Sequence, residues 1–208
     1  MLVREVMSSP AITVRRTEPV RRAIRLLYQH AISSAPVLDA QNRLVGIVSE
    51  LDLLCGEFGP DPRAHARPVQ ALTEPPPRLV EDVMSPDPVT VTETTDITAV
   101  VGLMVGKRFK SLPVMRGDRV VGVVARRDLL TILVRTDEDL RREVEATLRD
   151  VYPFGPGWHV EVVDGVAVLS GDPHEYADQV ADVLARTVPG IVRVKHLRSS
   201  PQEPPSRA

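Results

Sequence analysis

The stretch GIVSELD at residues 46–52 returns as GVVARRD at residues 122–128. In both copies a glycine and β-branched residues lead to an aspartate six positions after the glycine, and the numbering offset between the copies is 76 (122 − 46). An apolar run that leads into an acidic helix start predicts a strand-to-helix junction. A junction of this kind that occurs twice predicts two similar units that pack on each other, with a cleft between them.

The duplication extends upstream of these two stretches at a constant numbering offset of 77 (83 − 6 and 111 − 34). VMS at residues 6–8 returns at 83–85, and SAPV at 34–37 returns as SLPV at 111–114. Between the upstream and downstream matches the second copy has lost one residue in a turn. The two copies therefore take up the chain from its start to just past Asp128.

Each repeat has the same predicted order of elements. A short extended segment precedes an amphipathic helix, and two apolar strands joined by a turn then lead into a second helix at Asp52 or Asp128. Apolar residues at positions i, i+3, i+4 and i+7 predict one apolar stripe on the first helix of each repeat, and the sequence leaves open whether this stripe fills the core or forms a dimer interface. These residues are Val20, Ala23, Ile24 and Leu27 in the first repeat, and Ile97, Val100, Val101 and Met104 in the second.

The rest of the chain differs from the repeats. Residues 137–198 predict a third unit of order αββαβ, in which Asp164-Gly165 joins two apolar runs as a hairpin turn. The last strand of this unit is predicted at Ile191–Val194, after a helix with Tyr176, Val180 and Leu184 on one face. The predicted domains are repeat 1 (1–55), a proline-rich connection (56–80), repeat 2 (81–134), the third unit (137–198) and a disordered tail (199–208).

Composition sets limits on function. Lys+Arg is 26 and Asp+Glu is 28, a net charge of −2 (26 − 28), so a basic surface for nucleic acid is not expected. Residues 137–198 alone carry 7 basic and 12 acidic side chains (7 − 12 = −5), which disfavours an anionic membrane surface. Because Cys55 is the single cysteine in the sequence, an intrachain disulfide is excluded, and we expect Cys55 to act as a small apolar residue. An N-terminal apolar signal core and a long apolar run are both missing, so a cytoplasmic location is expected.

The repeats resemble a tandem pair of CBS domains, which sense adenosyl ligands. The resemblance rests on VMSSPAITV, ISSAPVLDAQNRLVGIVSELDLL, VMSPDPVTV and KSLPVMRGDRVVGVVARRDLL. It implies an α+β fold with pseudo-twofold symmetry and a regulatory ligand such as AMP, ADP, ATP or S-adenosylmethionine, with no required cofactor. It also implies a homodimer. The implied contacts are Asp52 and Asp128 for ribose, Ser49, Arg126 and Arg127 for phosphate, and Thr13, Thr90, Ser34, Ala35, Lys110 and Ser111 around adenine.

Two interpretations of the aspartates stay open. A carboxylate can accept both hydrogen bonds of a ribose diol, and a helix N-terminus favours phosphate. Ser49 and Asp52 also fit a capping box, a structural role without a ligand. Because Ala125 cannot cap with a hydroxyl while Asp128 is retained, the second copy weakens the capping interpretation. The missing hydroxyl also makes the second site the weaker candidate.

Residues 137–198 resemble a BON domain, on the strength of DGVAVLSGDP and VPGIVRVKHL. That family is credited with membrane attachment, but the charge of this unit favours a protein partner or a dimer interface. The sequence therefore predicts a non-catalytic regulatory protein that passes ligand binding to an unknown partner. The alternative is an envelope-associated interaction protein in which the repeats serve as a dimerisation scaffold. Residue patterns for catalysis or for a metal site are not found in the sequence.

Overall fold

The computed structural model describes residues 1–55, 57, 63, 78–154, 157–171 and 175–198. The chain divides into two compact units, residues 2–128 and residues 129–208 together with Met1. Most of the predicted connection 56–80 and the whole predicted tail 199–208 lie outside the described residues. Within the described part, no helix combines the length and the apolar character that crossing a membrane requires.

The unit of residues 2–128 is a mixed α+β fold, as predicted. After a 3-10 helix, and in repeat 2 the additional short strand β4, both repeats run strand, helix, strand, strand, helix, and the second helix of repeat 2 continues past residue 128. The elements of repeat 1 are the 3-10 helix η1 (Val3–Glu5), β1 (Val14–Arg15), α1 (Val20–Gln29), β2 (Ser34–Leu38), β3 (Leu44–Ser49) and α2 (Glu50–Leu54). Those of repeat 2 are η2 (Val80–Asp82), β4 (Ser85–Pro86), β5 (Val91–Thr92), α3 (Ile97–Lys107), β6 (Ser111–Arg116), β7 (Arg119–Ala125) and α4 (Arg126–Leu133).

Two sheets organise this unit. One has the order β1-β2-β3-β4 and the other the order β5-β6-β7. In each sheet the first pair of strands is parallel and the next is antiparallel. β2 is buried along its whole length, which agrees with its continuous apolar sequence.

The repeats exchange their starting segments. β4, from the start of repeat 2, pairs with β3 of repeat 1, and Ser8 pairs with Val123 in β7 of repeat 2. The 3-10 helices follow the same exchange: Val80 N–H donates to the Glu18 carbonyl, and Val3 N–H donates to the Thr95 carbonyl. The two VMS copies therefore complete each other's repeats, an arrangement that the sequence analysis did not predict.

The predicted helix faces are largely correct. Val20, Ala23 and Leu27 of α1 are buried, and so are Ile97, Val100 and Met104 of α3. Val101 is 41% exposed, so the predicted apolar stripe of α3 is only partly buried. At 100° per residue Val101 lies at the edge of the buried residues, and Val105 continues the exposed side.

The second unit confirms the predicted order αββαβ. Its elements are α5 (Asp137–Val151), β8 (His159–Val163), β9 (Val166–Gly171), α6 (Glu175–Thr187) and β10 (Arg193–Arg198). The sheet order is β10-β9-β8, with β10 parallel to β9. Asp164 and Gly165 both have positive φ, 51° and 71°, as the predicted hairpin requires. The Asp137 carboxylate holds this turn by accepting hydrogen bonds from both of their N–H groups.

Two details of this unit differ from the prediction. α6 buries Ala181 and Ala185, whereas Tyr176 is 79% exposed. Small residues face the sheet because they let the helix lie close to it, and the large residues lie toward its margin. The last strand begins at Arg193, two residues after the predicted start, since Ile191 still takes part in a turn in which its N–H donates to the Val188 carbonyl.

Candidate ligand-binding clefts

The first strand-to-helix junction is a capping box. Asp52 is the third residue of α2, which begins at Glu50 rather than at the predicted Asp52. Asp52 Oδ2 accepts from the Ser49 N–H at 2.8 Å and from Ser49 Oγ at 2.7 Å. Ser49 Oγ in turn accepts from the Asp52 N–H at 3.4 Å. The structural role predicted as an alternative is therefore present in repeat 1.

The second junction keeps half of this arrangement. Asp128 Oδ2 accepts from the Ala125 N–H at 2.8 Å. That bond needs only the backbone of residue 125, so an aspartate can cap without a hydroxyl partner. The argument that Ala125 weakens the capping interpretation was therefore wrong, because Asp128 has a capping role of its own.

Capping leaves each carboxylate with further acceptor capacity. An ionised carboxylate has about four lone-pair sites. Asp128 Oδ1 lies 3.5 Å from Ser8 Oγ, and both residues line a cavity of about 430 Å³. Asp52 lines an equivalent cavity of about 350 Å³. We call these the Asp128 cleft and the Asp52 cleft.

Each cleft is built from both repeats. In the Asp128 cleft, the start of repeat 1 (Ser8, Pro10, Ile12) lies with the end of repeat 2 (Arg127, Asp128). This follows from the exchange of starting segments, because the pairing of Ser8 with Val123 carries the following residues across the end of β7.

The Asp52 cleft repeats this arrangement at the equivalent positions. Ser85, Pro86 and Val89 line it together with Ser49 and Asp52. The lining positions of the two clefts are thus related by the offset of the sequence repeat.

The two clefts share a wall. Ser34 Oγ and Ser111 Oγ, which occupy equivalent positions of the two repeats, lie 2.5 Å from each other in a buried hydrogen bond. Both serines line both clefts, and so does Lys110. The pseudo-twofold relation of the repeats therefore brings the two equivalent serines together between the two cavities.

The charges of the clefts differ. The Asp128 cleft is lined by Lys110, Arg126 and Arg127 against Glu50 and Asp128, a formal balance of +1 (3 − 2). The Asp52 cleft is lined by two cations and two carboxylates, a balance of 0 (2 − 2). By size and by charge, the Asp128 cleft suits an anionic ligand better.

Arg126 is held by the protein itself. Its Nε donates to the Phe109 carbonyl at 2.8 Å, and its Nη2 lies 3.5 Å from the Met104 carbonyl. The Arg126 guanidinium is therefore committed to carbonyls at the end of α3, and its charge acts on the cleft from that position.

Most residues predicted from the CBS resemblance lie in the clefts. The lining includes Ser34, Lys110 and Ser111 in both clefts, Ser49 and Asp52 in one, and Arg126, Arg127 and Asp128 in the other. Thr13 and Thr90 are not among the described lining residues, and their neighbours Ile12 and Val89 line the clefts instead. Ala35 is fully buried in β2 and is not among the described lining residues, so its contact with adenine stays a prediction.

The prediction missed the segment that begins at the last residue of each VMS copy, namely Ser8, Pro10 and Ile12 with their counterparts Ser85 to Val89. The signal for this segment was the duplication of VMS itself, which the predicted helices and strands left unassigned. Across the described ranges, no cluster of three or more His, Cys, Asp or Glu side chains could hold a metal ion.

The family profile of the CBS domain matches residues 3–55 and 80–135, which together make up more than half of the chain. The chain therefore belongs to the CBS domain family. A 17.7 kDa uncharacterized protein of Acidianus ambivalens is 27% identical over 133 residues, which cover 64% of this chain and 73% of that protein.

Two solved structures share the fold. One is the CBS domain pair of protein MJ0100 in complex with 5′-methylthioadenosine and S-adenosyl-L-methionine. It is 23% identical to this chain with a TM-score of 0.52, and the match covers 64% of this chain and 98% of the MJ0100 chain. The other is CBSX2 in complex with AMP, which is 24% identical with a TM-score of 0.50, and the match covers 62% of this chain and 93% of the CBSX2 chain. Residues 137–198 lie outside the profile matches, so their resemblance to a BON domain stays a prediction.

Proposed function

We propose that this protein is a non-catalytic regulatory sensor that binds an adenosine-containing ligand in the Asp128 cleft. The observation that carries the proposal is the position of Asp128. Its carboxylate caps α4 with one oxygen and lines, beside Arg127 and Lys110, a cavity of about 430 Å³. A pocket of this size, with an acceptor at one end and cations nearby, suits a nucleotide.

The proposed binding mode follows from the chemistry of the lining. The Asp128 carboxylate accepts hydrogen bonds from the ribose hydroxyls. Lys110 and Arg127 attract the phosphate as cations. The apolar surface of Pro10 and Ile12 covers the base. The ligand regulates because it favours one arrangement of the repeats over another.

The test is a series of thermal melts with adenosine, AMP, ADP, ATP and S-adenosylmethionine. A ligand at 100 times its dissociation constant stabilises by about 2.7 kcal/mol, which raises the melting temperature by several degrees. Asp128→Ala should markedly reduce this ligand-induced rise, and the part that remains comes from the Asp52 cleft.

The control is Asp82→Ala. Asp82 also caps with its carboxylate, accepting from the Leu79 N–H at 2.9 Å, but it lies in η2 and not among the described lining residues of either cleft. Asp82→Ala should lower the melting temperature and keep the ligand-induced rise. If none of the five compounds stabilises the wild-type protein, the proposal is wrong.

The third unit is proposed to be a BON-like module that passes the ligand signal to a protein partner in the cytoplasm. Its sheet has α5 and α6 packed against one face, while His159, Glu161 and Lys195 are exposed on strands of the same sheet. Mixed charges of this kind suit a polar protein surface better than a lipid surface. Liposome co-sedimentation of the full chain should leave it in the supernatant, and recovery with anionic vesicles would favour the envelope alternative.

The protein is further proposed to form a homodimer through α3. Val101 and Val105 are 41% and 74% exposed, and Cβ atoms built on Gly102 and Gly106 meet nothing within 4 Å. This surface lets a second helix approach closely. Val105→Glu should halve the mass measured by sedimentation, and an unchanged mass would contradict the proposal.

A further inference from the structure

Lys110 occupies a position that its repeat partner does not match. It lines both clefts, whereas the equivalent residue in the first repeat is Ser33 (110 − 77). The shared wall therefore holds a cation from one repeat only. A lysine has a flexible stem with a single charged end, so it serves one cleft at a time.

Without Lys110, the remaining charged residues give the two clefts different formal charges. The Asp128 cleft keeps two arginines against two carboxylates, a balance of 0 (2 − 2). The Asp52 cleft keeps Arg108 against Asp52 and Asp87, a balance of −1 (1 − 2). A phosphate that draws Lys110 into the Asp128 cleft thus leaves the Asp52 cleft with net negative charge.

The backbone around Lys110 is fixed, so the competition concerns its side chain. The Lys110 carbonyl accepts from the Arg126 N–H at 3.0 Å, and the Ser33 carbonyl accepts from the Glu50 N–H at the same distance. The Ser34–Ser111 hydrogen bond closes the wall beside these contacts. The side chain of residue 33 or 110 can therefore be changed while these backbone bonds are kept.

We infer that the two clefts are negatively coupled for phosphate-bearing adenosine ligands through Lys110, and independent for uncharged ones. This inference rests on the proposed function. AMP binds first in the Asp128 cleft, where its phosphate pairs with Lys110, so that a second AMP must bind in the Asp52 cleft while that cleft has a net negative charge. Adenosine has no phosphate to pair with the lysine, so it binds in both clefts with little coupling.

The experiment is isothermal titration calorimetry of the full chain with adenosine and with AMP. Adenosine should bind at two sites per chain, and AMP should bind in two steps, the second weaker by about fivefold or more. Lys110→Ser should weaken the first AMP step and leave the second unchanged, because in the wild type the second AMP already binds without the lysine.

The matched variant is Ser33→Lys, which adds a cation to the lining of the Asp128 cleft and so leaves Lys110 to the Asp52 cleft. It should strengthen the second AMP step by about fivefold or more. Adenosine binding to both variants should match the wild type, which shows that the clefts are intact. Loss of adenosine binding in Ser33→Lys would mean that this substitution damages the clefts, and the AMP titration of Lys110→Ser then tests the coupling by itself.

Three results would overturn the inference. Two equal AMP steps in the wild type would do so, and so would a Lys110→Ser variant in which both steps weaken alike. A single adenosine site per chain would also overturn it, since the inference requires both clefts to accept the nucleoside. Each of these leaves the proposed function standing, whereas failure of both compounds to bind overturns the function as well.

Discussion

The Asp52 and Asp128 clefts share a backbone plan and differ in chemistry. Their strands, their aspartates and their exchanged starting segments correspond. The side chains that would meet a ligand do not, because Ser49 stands against Ala125, Leu51 against Arg127 and Ser33 against Lys110. The comparison teaches that the duplication fixes where the clefts lie, while the differences between the copies decide which cleft suits a phosphate.

The ranking of the clefts changes accordingly. From the sequence, the missing hydroxyl at Ala125 made the second site the weaker candidate. The Asp128 cleft is larger and has the more positive charge balance, which is why the proposed ligand site lies there. The Ser49 hydroxyl is already engaged with Asp52, which reduces its value for binding phosphate.

The largest effect on stability is expected at Gly46 and Gly122, where the two clefts are most alike. A Cβ atom on Gly46 would lie 2.9 Å from the Ser85 carbonyl oxygen, and one on Gly122 would lie 2.9 Å from that of Ser8. Alanine at either position pushes the exchanged segment away from its strand. Each substitution should lower the free energy of unfolding by about 1–3 kcal/mol, measured by urea denaturation.

Gly157→Ala is the control for this pair, since a Cβ there meets no atom within 4 Å and Gly157 lies outside the proposed dimer surface. It should leave the free energy of unfolding unchanged or raise it by up to about 1 kcal/mol. If only one of Gly46→Ala and Gly122→Ala destabilises, the two exchanges are not equivalent.

A smaller effect is expected at the two helix starts, where the clefts differ. Ser49→Ala removes the hydroxyl of the capping box and should cost about 0.5–1 kcal/mol in the free energy of unfolding. Ala125→Ser adds the hydroxyl that repeat 2 lacks and should stabilise by a similar amount. A melting temperature of Ala125→Ser equal to or below that of the wild type would show that α4 begins with a geometry unlike that of α2.

The smallest effect concerns the turns of the two repeats and depends on pH. Hydrogen bonds from the Arg43 backbone N–H, with a contribution from its guanidinium, hold the pKa of Asp39 below its usual value. A side-chain hydrogen bond from the Arg116 guanidinium lowers the pKa of Glu93. Because both pKa values are lowered on folding, both carboxylates stabilise at neutral pH, and this contribution is lost as the pH falls below about 4.

Asp39→Asn and Glu93→Gln should each unfold at lower urea than the wild type at pH 7, and the difference should shrink toward pH 3. Salt should reduce the Glu93 effect more, because Arg116 is largely exposed whereas Asp39 is bound mainly by backbone N–H groups. A difference that stays constant with pH would contradict the assigned pKa shifts.

Much of the fold followed from local patterns in the sequence. The constant offset between the repeats, the apolar stripes of α1 and α3 and the Asp164-Gly165 hairpin are all properties of short segments. Such segments form their structure through spacing and turn chemistry, which can be read without knowing what packs against them. The αββαβ order of the third unit was predicted for the same reason.

The parts that were missed depend on contacts between distant segments. The pairing of Ser8 with Val123 joins the start of one repeat to the end of the other, and no local pattern encodes it. As a result Ile12 and Val89 line the clefts where Thr13 and Thr90 were predicted. Likewise, the close packing of α6 on its sheet selected small residues for the buried face, which a search for large apolar side chains overlooks.

The central claim is that the Asp128 cleft holds the tight site for an adenosine ligand. Calorimetric titration of AMP into the Asp128→Ala and Asp52→Ala variants tests it most directly. Asp128→Ala should weaken binding in the Asp128 cleft by about 10- to 100-fold, the loss expected for hydrogen bonds to a charged group, so that the Asp52 cleft sets the tightest step that remains. Asp52→Ala should leave the tighter step within about threefold of the wild type. A tighter step lost in Asp52→Ala and kept in Asp128→Ala would contradict the account.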